Sequence, residues 1–101
     1  MSKPNPFSAD EAKDKILVIL NDGTVELSFH CRRESMPKRG VTMLDVVNAL
    51  KLGQIRRAPE WDDVYSNWKY RVEGEDIDGD ELIAITLIIE SDMTLYIVTV
   101  F

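Results

Sequence analysis

The 101-residue sequence has one cysteine, Cys31, and one histidine, His30. A lone cysteine excludes an internal disulfide, and with a single histidine beside it the usual zinc sites lack ligands. No metal and no cofactor are therefore expected. Long apolar runs are missing too. The first fifteen residues include Lys3, Pro4, Pro6, Asp10, Glu11, Lys13 and Asp14, which leaves no room for the apolar stretch of an export signal. The longest apolar run, residues 82–89 with Thr86 inside it, is too short to cross a bilayer as a helix. The expectation is a protein of the reducing cytoplasm with no membrane partner. No glycine-rich phosphate loop and no Gly-x-Ser-x-Gly elbow occurs, so nucleotide-binding and serine-hydrolase readings lack support. Positive charge is also scarce: 12 Lys and Arg against 18 Asp and Glu give a net charge of −6. Coating nucleic acid non-specifically requires a broad positive surface. Any nucleic-acid contact must therefore be local.

What is present is an ordinary globular composition, 45% hydrophobic and 30% charged, of a length that buries a core without staples. No linker, repeat or low-complexity segment divides it, so residues 1–101 are expected to form one domain. Ser8-Ala9-Asp10-Glu11 has the form of a capping box. Ala12, Ile16, Leu17, Ile19 and Leu20 follow at helical spacing until Asn21-Asp22-Gly23 stops the helix. Residues 24–30 alternate, with Val25, Leu27 and Phe29 on one face and Glu26, Ser28 and His30 on the other. This is the pattern of a half-buried strand whose end carries His30 outward. Residues 32–39 are basic and suit a short helix with Met36 inward, which Pro37 should kink or break. Thr42 and Asp45 cap a second helix ending at Gly53. Residues 54–57 suggest a short strand and residues 58–63 a loop. Trp68, Tyr70 and Val72 alternate with Lys69, Arg71 and Glu73, which puts Lys69 and Arg71 on one face. An acidic turn, residues 76–80, leads into the apolar run, whose four isoleucines and threonine favour a central strand covered on both sides. Residues 95–101 form the last strand. The expected fold is α+β, an antiparallel meander with helices packed on one face.

The charges are sorted along the chain. Residues 30–71 hold nine of the twelve cations and five of the eighteen acids, which suggests an anion-facing surface. The bland alternative is a solvated face on which the arginines pair with Glu34, Asp45, Glu60 and Asp62. The acidic turn has the wrong register for a calcium loop, since Glu81 stands where glycine is needed and Leu87 where a bidentate glutamate is needed. Cys31 cannot meet His30 if both lie on one strand, and reads as a buried structural thiol. His30, Arg32, Arg33, Lys38, Arg39, Lys69 and Arg71 remain. Metal-free RNA cleavage needs proton-transfer groups and cations for the charge that grows on phosphate, and histidine and arginine suit those roles.

The strand ending in His30, the basic residues through Arg39-Gly40, the helix ending at Gly53, Lys69-Tyr70-Arg71-Val72 and the final Ile97-Val98-Thr99-Val100 together resemble the domain of unknown function 4258 family. The resemblance covers residues 24–101 and leaves residues 1–23 as an N-terminal helical extension. Through that family the chain is similar to RelE-like and BrnT-like toxins. What the resemblance implies is a RelE-like fold, metal-independent RNA cleavage, RNA as target and an antitoxin protein as partner. Carried over by position, it picks out His30, Arg39, Arg71 and Thr99 as catalytic, with Arg33 and Lys69 as RNA or phosphate ligands; Lys38 of the basic segment is expected to join them. RelE-like toxins tend to be basic, whereas this chain is acidic. Two other readings stand beside it: a non-enzymatic interaction module with a basic face, and an antitoxin-like acidic binding partner, drawn from the eight acids and no bases after Val72.

Overall fold

A computed structural model describes residues 3–101; the first two residues of the 1–23 extension lie outside the described ones. Helix α1, Ala9–Asp22, starts where the sequence indicates. The Ser8 hydroxyl accepts the Glu11 amide at 3.2 Å, and the Glu11 carboxylate accepts the Ser8 amide at 3.0 Å. Ala12, Ile16 and Ile19 are buried, while Leu17 faces solvent. Strand β1, Thr24–Leu27, is followed by a helical segment over residues 29–39, with a π-type turn at Cys31–Ser35 and α2 at Met36–Arg39. Helix α3 is Met43–Leu52, and strands β2 to β5 are Glu60–Asp62, Asn67–Glu75, Glu81–Ile89 and Thr94–Val100.

The five strands form one sheet in the order β1-β5-β4-β3-β2. The meander β2 to β5 is antiparallel as expected, but β1 pairs with β5 in parallel, so the sheet is mixed rather than purely antiparallel. The chain leaves β1 through two helices before it returns, and such a connection is long enough for a parallel neighbour. Of residues 54–57, expected as a strand, Gln54 alone makes a bridge, to Glu73. The expected loop at 58–63 contains β2 instead.

The core lies between one sheet face and the helices. Tyr70, Val72, Leu82, Ala84, Ile88, Leu95, Ile97 and Val100 meet Ala12, Ile16 and Ile19 of α1, Val46, Ala49 and Leu50 of α3, and Cys31 and Met36. Lys13 ties α1 to the end of α3, donating to the Leu50 and Lys51 carbonyls at 2.7 and 2.9 Å. Burial pushes its ammonium pKa down. The other face of β4 carries no helix. There Ile83 and Leu87 are buried beneath side chains of the adjoining strands, because the stems of long residues cover apolar surface as helices do elsewhere. Among the described residues no helix is long and apolar enough to cross a membrane.

Candidate anion-binding face

Three cross-strand rows build the helix-free face. In one, Glu60 stands opposite Lys69, Lys69 opposite Leu87, and Leu87 opposite Tyr96. In the next, Arg71 stands opposite Ile85, and Ile85 opposite Thr99. In the third, Gln54 bridges Glu73, Glu73 pairs with Ile83, and Ile83 exchanges backbone hydrogen bonds with Phe101 at 2.8 and 3.0 Å. The middle row depends on an irregularity. Thr86 pairs with Ile97 and Ile85 with Thr99, so Val98 has no partner on β4. Such a bulge reverses the alternation beyond it. Thr99 therefore shares a face with Arg71 while Val100 returns to the core.

Between these rows lies a cleft of about 250 Å³ lined by Arg57, Ala58, Glu60, Lys69, Arg71, Ile85, Val98, Thr99 and Phe101. The Arg71 guanidinium lies 5.2 Å from the Phe101 ring centroid, and its Nε donates to Glu73 at 3.3 Å. Glu73 also takes Arg57 at 3.9 Å and Arg56 at 4.0 Å. Lys69 pairs with Asp62 at 3.4 Å. The Asp62 carboxyl is held below its ordinary range by the Tyr65 amide first, then by the Val64 amide and Lys69. The Tyr65 and Tyr96 rings meet at 5.4 Å between centroids, tilted by 56°, and the Lys69 row runs through Tyr96 to Glu26 on β1. Around the cleft four cations, Arg56, Arg57, Lys69 and Arg71, stand against Glu60, Asp62 and Glu73, while Glu26, Glu75 and Glu81 lie farther out on the same face, so the positive excess is confined to the cleft.

Lys69, Arg71 and Thr99, all singled out from the sequence, meet here. His30, Arg33, Lys38 and Arg39 do not line the cleft. His30 is not at a strand end as expected: it lies in the first turn of the 29–39 helix, where its Nδ1 pairs with Glu34 at 2.7 Å. The reason is Ser28, which stops the strand. The Ser28 hydroxyl donates to the Val98 carbonyl at 2.6 Å and accepts the Cys31 amide at 2.9 Å, an arrangement that favours helix entry over further sheet. Arg33 lies over the Phe29 ring at 5.5 Å, and Lys38 is exposed. Arg39 donates to the backbone carbonyl of Glu81, which ties the helix end to β4. Pro37 does not break the helix. Its missing amide and its ring's clash with the preceding turn are absorbed by the wider turn, in which the Met36 amide bonds the Cys31 carbonyl five residues back.

Cys31 is fully buried and burial pushes its thiol up, which suits a structural role. In the acidic turn the Asp76 carboxylate accepts the Asp80 amide at 2.9 Å. No cluster of metal-ligating side chains occurs among the described residues. Sequence reasoning missed Arg57, Glu60 and Phe101 as cleft residues, and Glu73 as the carboxylate beside them. The basic pair Arg56-Arg57 was a usable signal, but its position depends on the Gln54–Glu73 bridge. A family model described as Domain of unknown function (DUF4258) matches residues 27–101. No curated protein and no solved structure matches the chain.

Proposed function

We propose that this chain, which belongs to the family described as Domain of unknown function (DUF4258), is a toxin-like protein whose helix-free sheet face binds single-stranded RNA. The reading is carried by one observation: the guanidinium groups of Arg57 and Arg71 meet in a cleft with the Lys69 ammonium, the Thr99 hydroxyl and an aromatic ring. Planar arginine forks match phosphate oxygens. Exposed rings such as Phe101 and Tyr65 offer surfaces on which unstacked bases pile, and single strands are recognised this way. The contact is local, which agrees with the acidic charge of the whole. The RelE-like fold and the antitoxin partner implied by resemblance belong to the same proposal.

The test is anisotropy of a fluorescein-labelled mixed-sequence RNA oligonucleotide at about 50 mM salt. Arg71→Ala and Lys69→Ala each lose roughly tenfold in affinity, about 1.4 kcal/mol. The wild-type salt slope is about −0.7 per phosphate engaged. Affinity that ignores both substitutions, or no affinity at all, overturns the reading. Selective capture of an acidic protein without RNA binding would assign the face to a protein-interaction module instead.

A second reading, metal-independent cleavage, takes the His30–Glu34 pair as its proton-transfer group and requires an RNA long enough to reach His30 from the cleft, which His30 does not line. A carboxylate at Nδ1 fixes the imidazole and leaves Nε2 free to move a proton. The helix carrying His30 is tied by Ser28 to Val98 and by Ser35 to the Val100 amide at 3.3 Å, on either side of Thr99. With chelator present, His30→Ala keeps RNA affinity and loses about 10²-fold or more in turnover. Undiminished cleavage by the variant removes His30 from the chemistry.

A further inference from the structure

Glu73 occupies an unusual position for a carboxylate on a face that holds arginines. Its oxygens take Arg71 Nε at 3.3 Å, Arg57 Nε at 3.9 Å and Arg56 Nη1 at 4.0 Å, while its own side chain is only 18% exposed. Arg56 is held from a second side, its Nε and Nη2 donating to Gln54 Oε1 at 3.3 and 3.2 Å. One carboxylate neutralises one guanidinium. Glu75 and Glu81 line the adjoining cavity with Arg56, so the positive excess lies on the cleft side, where Arg57, Lys69 and Arg71 face Glu60; Arg56 and Arg57 are about two-thirds exposed (66% and 67%) and keep unused N–H donors. The resident negative charge holds the cluster together and also competes for it.

We propose that Glu73 is the internal competitor of this site, an autoinhibitory contact that an incoming phosphate must displace from Arg57 and Arg71. The proposal rests on the RNA-binding reading above. Arg71 and Arg57 meet Glu73 through Nε alone, at 3.3 and 3.9 Å, so a phosphate that engages the full planar fork displaces the carboxylate and gains a second N–H contact. The exchange weakens binding by the cost of leaving Glu73 without its partners on a partly buried site. A non-ionised side chain of the same shape removes that cost and keeps the packing.

The experiment compares wild type, Glu73→Gln and Glu73→Ser in the same anisotropy assay, with circular dichroism to verify folding. Both variants bind RNA about three- to tenfold more tightly. Their dependence on salt steepens by about 0.7, one further phosphate freed of its internal rival. Unchanged or weaker binding by both variants, with wild-type binding intact, overturns the competitor role and leaves the RNA reading standing; Glu73 would then be a positioning residue for the arginines. Binding by the variants alone supports the inference in its strongest form. Failure of all three proteins to bind overturns both.

Discussion

Thr99 shares one face with Arg71, across Ile85, because β5 carries one residue, Val98, that pairs with nothing on β4. Plain alternation from Leu95 and Ile97 would turn Thr99 into the core. The bulge exposes a hydroxyl in the cleft at no cost to the apolar interior, since Val100 takes the inward position. Thr99→Val should therefore leave stability within about 0.5 kcal/mol and weaken RNA binding by roughly two- to tenfold, the worth of one neutral hydrogen bond. Equilibrium unfolding and RNA anisotropy on the same preparation separate the two effects. A variant that unfolds easily but binds normally would show that Thr99 serves the sheet.

Ser28 decides where strand gives way to helix. It is buried, donates to Val98 and accepts from Cys31, and its own amide bonds the Ile97 carbonyl at 2.9 Å. Ser28→Ala leaves the Cys31 amide without its acceptor at the helix start. The expected loss is about 1–2 kcal/mol in urea unfolding with an unchanged slope. A loss below about 0.3 kcal/mol would mean that the 29–39 helix is held by the burial of Cys31 and Met36 and by the Ser35 and Arg39 contacts, without help from Ser28.

That site also explains what the sequence concealed. Val25, Leu27 and Phe29 alternate perfectly, so a strand through His30 is the natural reading, and a serine cap at the end of such a pattern is hard to see. Periodicity placed α1, α3 and β3 and put Lys69 on one face with Arg71, whereas β4, an almost unbroken apolar run, was placed by its isoleucines and threonine. The parallel pairing of β1 with β5 joins residues some seventy positions apart, and no local pattern encodes it. The arginine cluster was hidden for the same reason. Arg57 reaches the cleft only because Gln54 lies beside Glu73 and Glu60 beside Lys69.

Two aspartates make the fold sensitive to acid. Asp45 accepts the Ile77 amide at 3.0 Å and the Thr42 amide at 2.8 Å, and those two bonds hold its carboxyl below the usual range. Asp62 is lowered in the same direction by amides and Lys69. Unfolded aspartate titrates near about 3.9. A folded value below that makes the contribution complete above roughly pH 4 and progressively lost as pH falls through the folded value. Thermal unfolding from pH 6 to pH 2 should show Asp45→Asn melting below wild type at neutral pH, with the gap closing in acid. A gap independent of pH would mean that the ionised form of Asp45 has no special role.

At Gly74 the backbone of β3 packs directly against the backbone of α3. A β-carbon there would stand 2.6 Å from the Ala49 carbonyl oxygen, 2.8 Å from Ala49 Cα and 3.0 Å from its carbonyl carbon. Two effects of Gly74→Ala oppose each other. Reduced freedom of the unfolded chain favours alanine by about 0.4–1 kcal/mol, whereas forced overlap in a packed interface costs about 1–3 kcal/mol. All three obstructing atoms belong to the backbone of a buried helix, so no side-chain rotation relieves them and the steric effect wins. Gly74→Ala should destabilise by about 2 kcal/mol in urea unfolding. Ala49→Gly added to it should restore nothing, because the β-carbon it removes is not among the obstructing atoms. Rescue by that second change would place the obstruction on the Ala49 side chain instead of its backbone.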